Sequence, residues 1–200
     1  MLDKTILKRR RLASFTLIEL LTVMAIIAIL AALTLEAASA LWNKAARSRA
    51  ASEIQAMSTA LEGYKTDNGI YPQSDGSQLL TNTPYSSFDG TSVSYQTNST
   101  LLYVALSGQA YFSANPTVGV KSYMSFKANQ IGNPTGPYSY VKDPWNMSYG
   151  YSTGTLPGAG TTNAPYNGVG FFDLWSTAGV TQAKVTGTPS LTNAWLSNWQ

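Results

Sequence analysis

The pattern of hydrophobic and polar positions changes twice along the chain. Residues 15–35 are apolar at nearly every position, and Glu19 is the one charged residue among these 21. Over 36–68 the apolar positions recur on one side of a helix, and over 69–200 Ser, Thr, Asn, Gly and Tyr dominate. The pattern predicts four parts: a leader (1–14), an apolar segment (15–35), an amphipathic segment (36–68) and a head (69–200).

The apolar segment is long enough to cross a membrane. As a helix, its 21 residues would extend about 30 Å, which matches the hydrocarbon thickness of a bilayer. Four basic residues at 8–11 precede it and should stay in the cytoplasm, so the chain after Leu35 is expected on the other side. A carboxylate such as Glu19 is costly there unless a positive partner compensates its charge.

The amphipathic segment should continue the same helix. The chain has no Pro before Pro72 and no Gly before Gly63, so nothing breaks the helix early. We predict one helix over about 15–66, roughly 78 Å long, with Gly69 as its C-cap. Charged side chains, Glu53 among them, are expected mostly away from the apolar stripe. That stripe, which should seat the head, consists of Ile54, Met57, Leu61 and Tyr64.

The head should contain short strands joined by long turns. Its composition, rich in small polar residues and tyrosine, is typical of such a structure. The pattern predicts a two-turn helix over 100–108 capped by Gly108, strands over 122–127, 138–142, 149–152 and 170–175, and loops over 154–160 and 161–168. The predicted fold class is therefore α+β, with a long N-terminal helix packed on a small antiparallel sheet.

Charge and composition narrow the function classes. The net charge of +3 belongs to the leader, because 1–14 carries +4 and 15–200 carries −1, so nucleic-acid binding is not expected. The chain has no Cys and no His, which removes disulfides, thiolate metal sites and the commonest general base. No pattern singles out a pair of carboxylates, and no phosphate-binding Gly-Lys motif occurs. We therefore expect no enzymatic activity.

Two kinds of processing fit the N-terminal pattern. In the first, Ala38-Ser39-Ala40 is a signal-peptide cleavage site and the mature chain begins at Leu41, although the apolar run is longer than such signals usually have. In the second, cleavage between Ser14 and Phe15 removes the basic leader and keeps the hydrophobic helix.

The stretch Phe15-Thr-Leu-Ile-Glu19-Leu, after a short basic leader, resembles the signature of type IV prepilins, which type IV pilins and type II secretion pseudopilins share. The resemblance implies cleavage between Ser14 and Phe15, N-methylation of Phe15, and an assembly role for Glu19. Ser14 stands where the family usually has Gly. Glu36 stands where many relatives have Pro, so no kink is predicted there.

The resemblance also gives Glu19 a partner. Cleavage would create a positive amine at Phe15, which methylation leaves positive. That amine could neutralise the Glu19 of its own chain or that of a neighbouring subunit, and the second pairing would set the register of a filament. The alternative is an interfacial Glu19 without a partner.

Two later stretches resemble the major pseudopilin of type II secretion. One is the helix exit at 64–72, with its Tyr, Asn-Gly and Tyr-Pro; the other covers 142–151 and 172–179, with Asp-Pro-Trp and Phe-Asp-Leu-Trp-Ser. In that family the last loop binds calcium, which implies Asp173 and Ser176 as ligands, although a further Asp of the loop is missing.

Structural roles compete with these assignments. Asp173 would instead make a turn or strand-end hydrogen bond, and Asp143 before Pro144 would begin a turn. The aromatic residues of this part are expected in the core rather than on a sugar-binding surface. They are Trp145, Tyr149, Tyr151, Phe171, Phe172 and Trp175.

The function predicted from all of this is a structural subunit of a type II secretion pseudopilus or a type IV pilus-like filament. The resemblance implies as partners other copies of the chain, a prepilin peptidase, an assembly platform with its ATPase, and membrane lipid before assembly. The head would lie in the periplasm, and calcium is the one cofactor considered. The alternative is a secreted or membrane-anchored binding module, for glycans or adhesion.

Overall fold

The computed structural model describes residues 15–73, 90–153, 170–180 and 195–199. Contacts divide the chain into two compact units, Met1–Asn43 and Lys44–Gln200. The first holds the apolar part of a long helix. The second holds the rest of that helix together with the head, and it contains the hydrophobic core.

The long helix, α1, covers Leu17–Asn68 and has 52 residues. Its C-cap is the predicted Gly69, which takes a left-handed conformation (φ 78°) and donates its N–H to the Lys65 carbonyl at 2.7 Å. The Asn68 side chain donates to the Tyr64 carbonyl and satisfies another carbonyl of the last turn. The predicted helix is thus confirmed, with its start and end each two residues later than expected.

The second half of α1 seats the head through the predicted stripe. Ile54, Met57 and Leu61 are buried, and Tyr64 is half-buried at the edge of the core. Side chains from the head complete the same cluster, among them Leu102 and Leu106. This burial of apolar area is the main term that stabilises the second unit.

A second helix, α2, covers Val93–Ser107 and is longer than the predicted two turns. Its end is as predicted, because Gly108 has φ 71° and donates its N–H to the Val104 carbonyl. Its first turns are rich in Ser, Thr and Asn, which are weak helix formers. Burial of Tyr95 and a hydrogen bond from the Ser99 hydroxyl to the Val141 carbonyl hold them in place.

The strands form two small antiparallel sheets. In the first, β1 (Ile131–Gly132) pairs with β2 (Tyr140–Val141). In the second, the order is β3-β4-β5, with β3 at Gly150–Ser152, β4 at Asp173–Ser176 and β5 at Leu196–Ser197. The α+β class predicted from the sequence is confirmed.

One predicted strand is wrong. Residues 122–127 form no strand with any described part of the chain; the chain bends at Tyr123, and the N–H groups of Tyr123 and Met124 both donate to the Leu106 carbonyl near the end of α2. The strands predicted at 138–142 and 149–152 are present in shortened form, and the strand predicted at 170–175 is present as β4, which starts three residues later and ends one residue later. The two-residue strands β1 and β5 were not predicted, and the loops predicted within 154–168 lie outside the described residues.

Candidate assembly site at the start of the first helix

Thr16 and Glu19 close the first turn of α1 on each other. The Thr16 N–H donates to Glu19 Oε2 at 2.9 Å, and the Thr16 hydroxyl donates to the same oxygen at 2.8 Å. In return, the Glu19 N–H donates to Thr16 Oγ1 at 3.3 Å. This reciprocal pair is a capping box, in which two N–H groups without intrahelical partners are satisfied.

The capping box gives Glu19 a local compensation that the pattern of charges alone did not predict. Its carboxylate lies at the positive end of the helix dipole and accepts a backbone N–H there. Both bonds from Thr16 fall on Oε2, and no hydrogen bond reaches Oε1 from the described residues. That oxygen can therefore accept a further donor. The Thr-x-x-Glu spacing is the sequence signal by which this arrangement could have been found.

Phe15 lies outside the helix, two residues before Leu17, and its side chain is 79% exposed. The helix predicted over 15–66 would have placed Phe15 and Glu19 one helical turn apart. The structure corrects this point, because the backbone group held against the carboxylate is the N–H of Thr16. Ser14 lies outside the described residues, so the cleavage position and the methylation of Phe15 stay predictions.

The apolar residues that follow have no cover in the described structure. Every large apolar side chain from Phe15 to Leu35 is between 48% and 82% exposed. By length and composition, α1 is the one helix among the described residues that could cross a membrane, and its most apolar stretch contains no buried residue. Such a surface requires lipid or other apolar helices around it.

The two residues predicted as calcium ligands do not meet at one point. Asp173 and Ser176 lie at opposite ends of β4 and, three residues apart in a strand, on opposite faces. The Ser176 hydroxyl donates to Asp143 Oδ2 at 2.5 Å and accepts the Ala178 N–H at 3.0 Å. Among the described residues, no group of three or more acidic side chains could hold a metal ion. Calcium binding stays a prediction of the resemblance, and these two residues alone would bind the ion weakly.

Asp143 is the acidic residue that organises this part of the head. It is buried, and its Oδ1 accepts the N–H groups of Trp145 and Met147, each at 2.9 Å, while Oδ2 accepts the Ser176 hydroxyl. The turn predicted to begin at Asp143 is confirmed. Burial raises the pKa of the Asp143 carboxyl, although these hydrogen bonds favour its charged form.

Glu53 was expected away from the apolar stripe, and the structure corrects this placement. It is 8% exposed, and its Oε1 accepts Arg49 Nε at 2.8 Å and Gln130 Nε2 at 3.0 Å. Its Oε2 accepts the Tyr149 hydroxyl at 2.6 Å, and burial raises the pKa of that phenol well above its usual range. Its burial could have been predicted from the sequence, because Glu53 is next to Ile54 and one helical turn before Met57.

The aromatic residues assigned to the core are mostly buried there. Tyr149, Tyr151, Phe172 and Trp175 are at most 5% exposed, and Trp145 is half-buried. Phe171 is the exception, with a side chain that is 54% exposed. A second, smaller cluster was not predicted. It consists of Tyr95, Trp175 and Trp195, with Trp199 packed against it.

Comparison with known proteins first defines a class. Residues 9–35 match the prokaryotic N-terminal methylation motif, which includes the proposed cut and the capping box. Residues 39–103 match type II secretion system protein G. The resemblance to type IV pilin-like proteins, and among them to the major pseudopilins of type II secretion, is confirmed over this part of the chain. The resemblance at 142–179 lies beyond these matches.

Individual relatives agree with this class. The type II secretion system core protein G of Aeromonas hydrophila is 38% identical over 79 residues, which is 39% of this chain and 55% of the relative. That of Vibrio cholerae is 36% identical over 78 residues, covering 38% and 53%, and that of Klebsiella michiganensis is 37% identical over 79 residues, covering 39% and 56%. The chain therefore spans about half the length of the curated relatives that it matches.

Proposed function

We propose that this chain is a structural subunit of a type II secretion pseudopilus or a related type IV pilus-like filament. The observation that carries the proposal is the position of Glu19, in the first turn of an exposed apolar helix and within a matched N-terminal methylation motif. The relatives named above are core components of type II secretion, which favours the pseudopilus.

Before assembly, the apolar part of α1 holds the subunit in the inner membrane with the head in the periplasm. Lipid then covers the exposed side chains between Phe15 and Leu35. During assembly, helices of neighbouring subunits replace lipid around the same residues. Apolar side chains pack in both environments, so this exchange needs little net hydrophobic free energy. Extraction from the bilayer still requires work, which an assembly platform and its ATPase supply.

Glu19 makes the exchange specific. A prepilin peptidase cuts between Ser14 and Phe15, and methylation leaves a positive amine on Phe15. Because Thr16 already occupies Oε2, the free Oε1 of Glu19 can accept the amine of a neighbouring subunit. Such a charge-assisted bond inside an apolar bundle is strong, and it fixes how far one subunit is shifted along the next.

Intact mass spectrometry of the chain purified from membranes tests the processing step. The expected species contains residues 15–200, that is 186 residues, with one methyl group on the amine of Phe15. A chain that begins at Leu41 would support an ordinary signal peptide and would overturn the proposal. A chain that keeps 1–14 in cells with an active prepilin peptidase would overturn it as well.

A further inference from the structure

A cleft on the head lies between the outer face of α2 and the turn that joins β1 to β2. Its volume is about 480 Å³, within the range of small-molecule sites. The helix contributes Val93, Gln96, Thr97 and Thr100, and the turn and its strand contribute Asn133, Tyr138 and Tyr140. All of these residues belong to the second unit, and none of them takes part in the N-terminal site.

The lining is uncharged, and it combines polar side chains with aromatic rings and the exposed apolar side chain of Val93. None of the described residues around the cleft is acidic or basic. The Thr97 and Thr100 hydroxyls donate to carbonyls of α2, and Gln96 Nε2 donates to the Thr91 carbonyl, so each of these side chains still offers an acceptor oxygen. The hydroxyls of Tyr138 and Tyr140 make no hydrogen bond within the described part of the chain, and they supply donors.

Tyr138 is presented to solvent by an unusual backbone. Its side chain is 73% exposed, whereas Tyr95, Tyr103 and Tyr149 are fully buried. Its φ of 79° is left-handed, a conformation that a bulky residue rarely adopts. Asn133, also at positive φ, holds the turn by donating its Nδ2 to the Pro137 carbonyl at 3.1 Å. The fold therefore holds an aromatic ring at the rim of an uncharged cleft, where core packing does not require it.

We propose that this cleft binds a neutral saccharide. The C–H face of a sugar ring packs on an aromatic ring such as that of Tyr138, and its hydroxyls both donate and accept, as the surrounding amide, hydroxyl and phenol groups require. A phosphorylated or acidic sugar finds no positive side chain among the described residues of the lining. The proposal is independent of filament assembly, because it uses no residue of the first unit.

Binding is tested on the full chain in a zwitterionic detergent, because a detergent with a sugar headgroup would compete. Maltotetraose, cellotetraose and chitotetraose are titrated separately and followed by saturation-transfer NMR and calorimetry. We expect saturable binding of at least one probe, with a Kd on the order of 1 mM. Tyr138→Ala should weaken it about tenfold or more, whereas Tyr138→Phe, which keeps the ring, should change it less than about threefold.

Tyr111→Ala is the matched control, because Tyr111 is also exposed but does not line the cleft. It should leave the Kd unchanged. The proposal is overturned if none of the three probes saturates below about 20 mM, or if Tyr138→Ala and Tyr111→Ala weaken binding equally. Tighter binding of glucose 6-phosphate than of the neutral probes would overturn the neutral class. Since Tyr138 is exposed, unchanged circular dichroism will show that its variants fold.

Discussion

The two units of this chain use carboxylates in opposite ways. In the first, Glu19 lies on an exposed helix, and one of its oxygens is bonded within its own turn while the other has no hydrogen bond from the described residues. In the second, Glu53 and Asp143 are buried, and both oxygens of each accept hydrogen bonds. An acid whose oxygens are all satisfied can stabilise a fold, whereas an acid with a free oxygen can bind another molecule.

The largest effect should follow from Glu19→Ala, which removes the carboxylate that can receive a partner's amine. We expect filaments to be lost, while the urea midpoint of the head, read from tryptophan fluorescence, stays as in the wild type because Glu19 lies in the other unit. Electron microscopy of assembled fibres measures the loss of filaments.

Thr16→Ala is the matched variant for this experiment. It removes the hydroxyl that bonds Oε2 but keeps the backbone N–H and the carboxylate. Assembly should therefore be reduced rather than lost. Normal fibres from Glu19→Ala would show that the free oxygen has no role in assembly, and the contrast between the two units would fail.

Next in size is the effect of Asp143→Ala on the stability of the head. The change leaves the N–H groups of Trp145 and Met147 and the hydroxyl of Ser176 without their acceptor. The free energy of unfolding in urea should fall by about 3 kcal/mol.

Asp143→Asn separates hydrogen bonding from charge in the same position. It keeps one acceptor oxygen, and since burial already disfavours the charged form of Asp143, it should lower the free energy of unfolding by only about 1 kcal/mol. An equal loss in both variants would mean that the charge, rather than the acceptor oxygens, stabilises the turn.

The head should also tolerate less change in volume than the helix. A Cβ on Gly150 would lie 2.1 Å from the Trp175 ring, so Gly150→Ala should lower the free energy of unfolding by about 2 kcal/mol. Gly63→Ala is the control within α1, where the nearest atom would lie at 3.5 Å from the new Cβ. It should raise that free energy by about 0.5 kcal/mol, because alanine favours a helix. If the two variants had equal effects, packing around Trp175 would be looser than the structure indicates.

The pH dependence of the free energy of unfolding tests the buried hydrogen bond from the Tyr149 hydroxyl to Glu53. Burial and the Glu53 carboxylate raise the pKa of Tyr149 far above that of an unfolded tyrosine, near 10. The folded state therefore holds this proton more tightly, and stability present below pH 10 should be lost as the pH rises further. The free energy of unfolding should fall by about 1.4 kcal/mol per pH unit for this group alone. Tyr149→Phe should make the alkaline slope shallower by that amount; an unchanged slope would contradict the burial of the phenol.

The features predictable from sequence are those set by neighbours along the chain. Both helix ends at Gly69 and Gly108 follow from local backbone chemistry, and the apolar stripe of α1 follows from its period. The hydrogen-bond partners of the two buried acids could not be predicted in this way. Glu53 meets Tyr149 across 96 residues, and Asp143 meets Ser176 across 33, so only the folded chain defines these contacts.

Contacts between distant residues also limited the prediction of the strands, whereas part of the candidate site could be predicted from neighbouring residues. Residues 122–127 alternate like a strand, yet the N–H groups of Tyr123 and Met124 donate to the Leu106 carbonyl of α2 rather than to a strand. The capping box is the opposite case, because Thr16 and Glu19 are three residues apart and their spacing alone identifies it. Its free oxygen, however, is a property of the geometry and has no sequence signal.

The smallest effect should come from calcium. Ser176 donates to Asp143 rather than facing Asp173, so these two residues alone do not form the oxygen cage that calcium requires. Addition of EDTA, followed by 5 mM calcium, should shift the melting temperature of the head by less than about 2 °C. If free calcium were instead 100 times the Kd of a site in the folded head, binding would add about 2.7 kcal/mol to the free energy of unfolding. The melting temperature would then rise by several degrees. Such a rise, abolished by Asp173→Ala and kept in Asp67→Ala, would show that an acid of the head retains binding capacity for a cation. The contrast between acids of the head, whose oxygens are hydrogen-bonded, and Glu19, whose Oε1 has no hydrogen bond from the described residues, would then no longer hold.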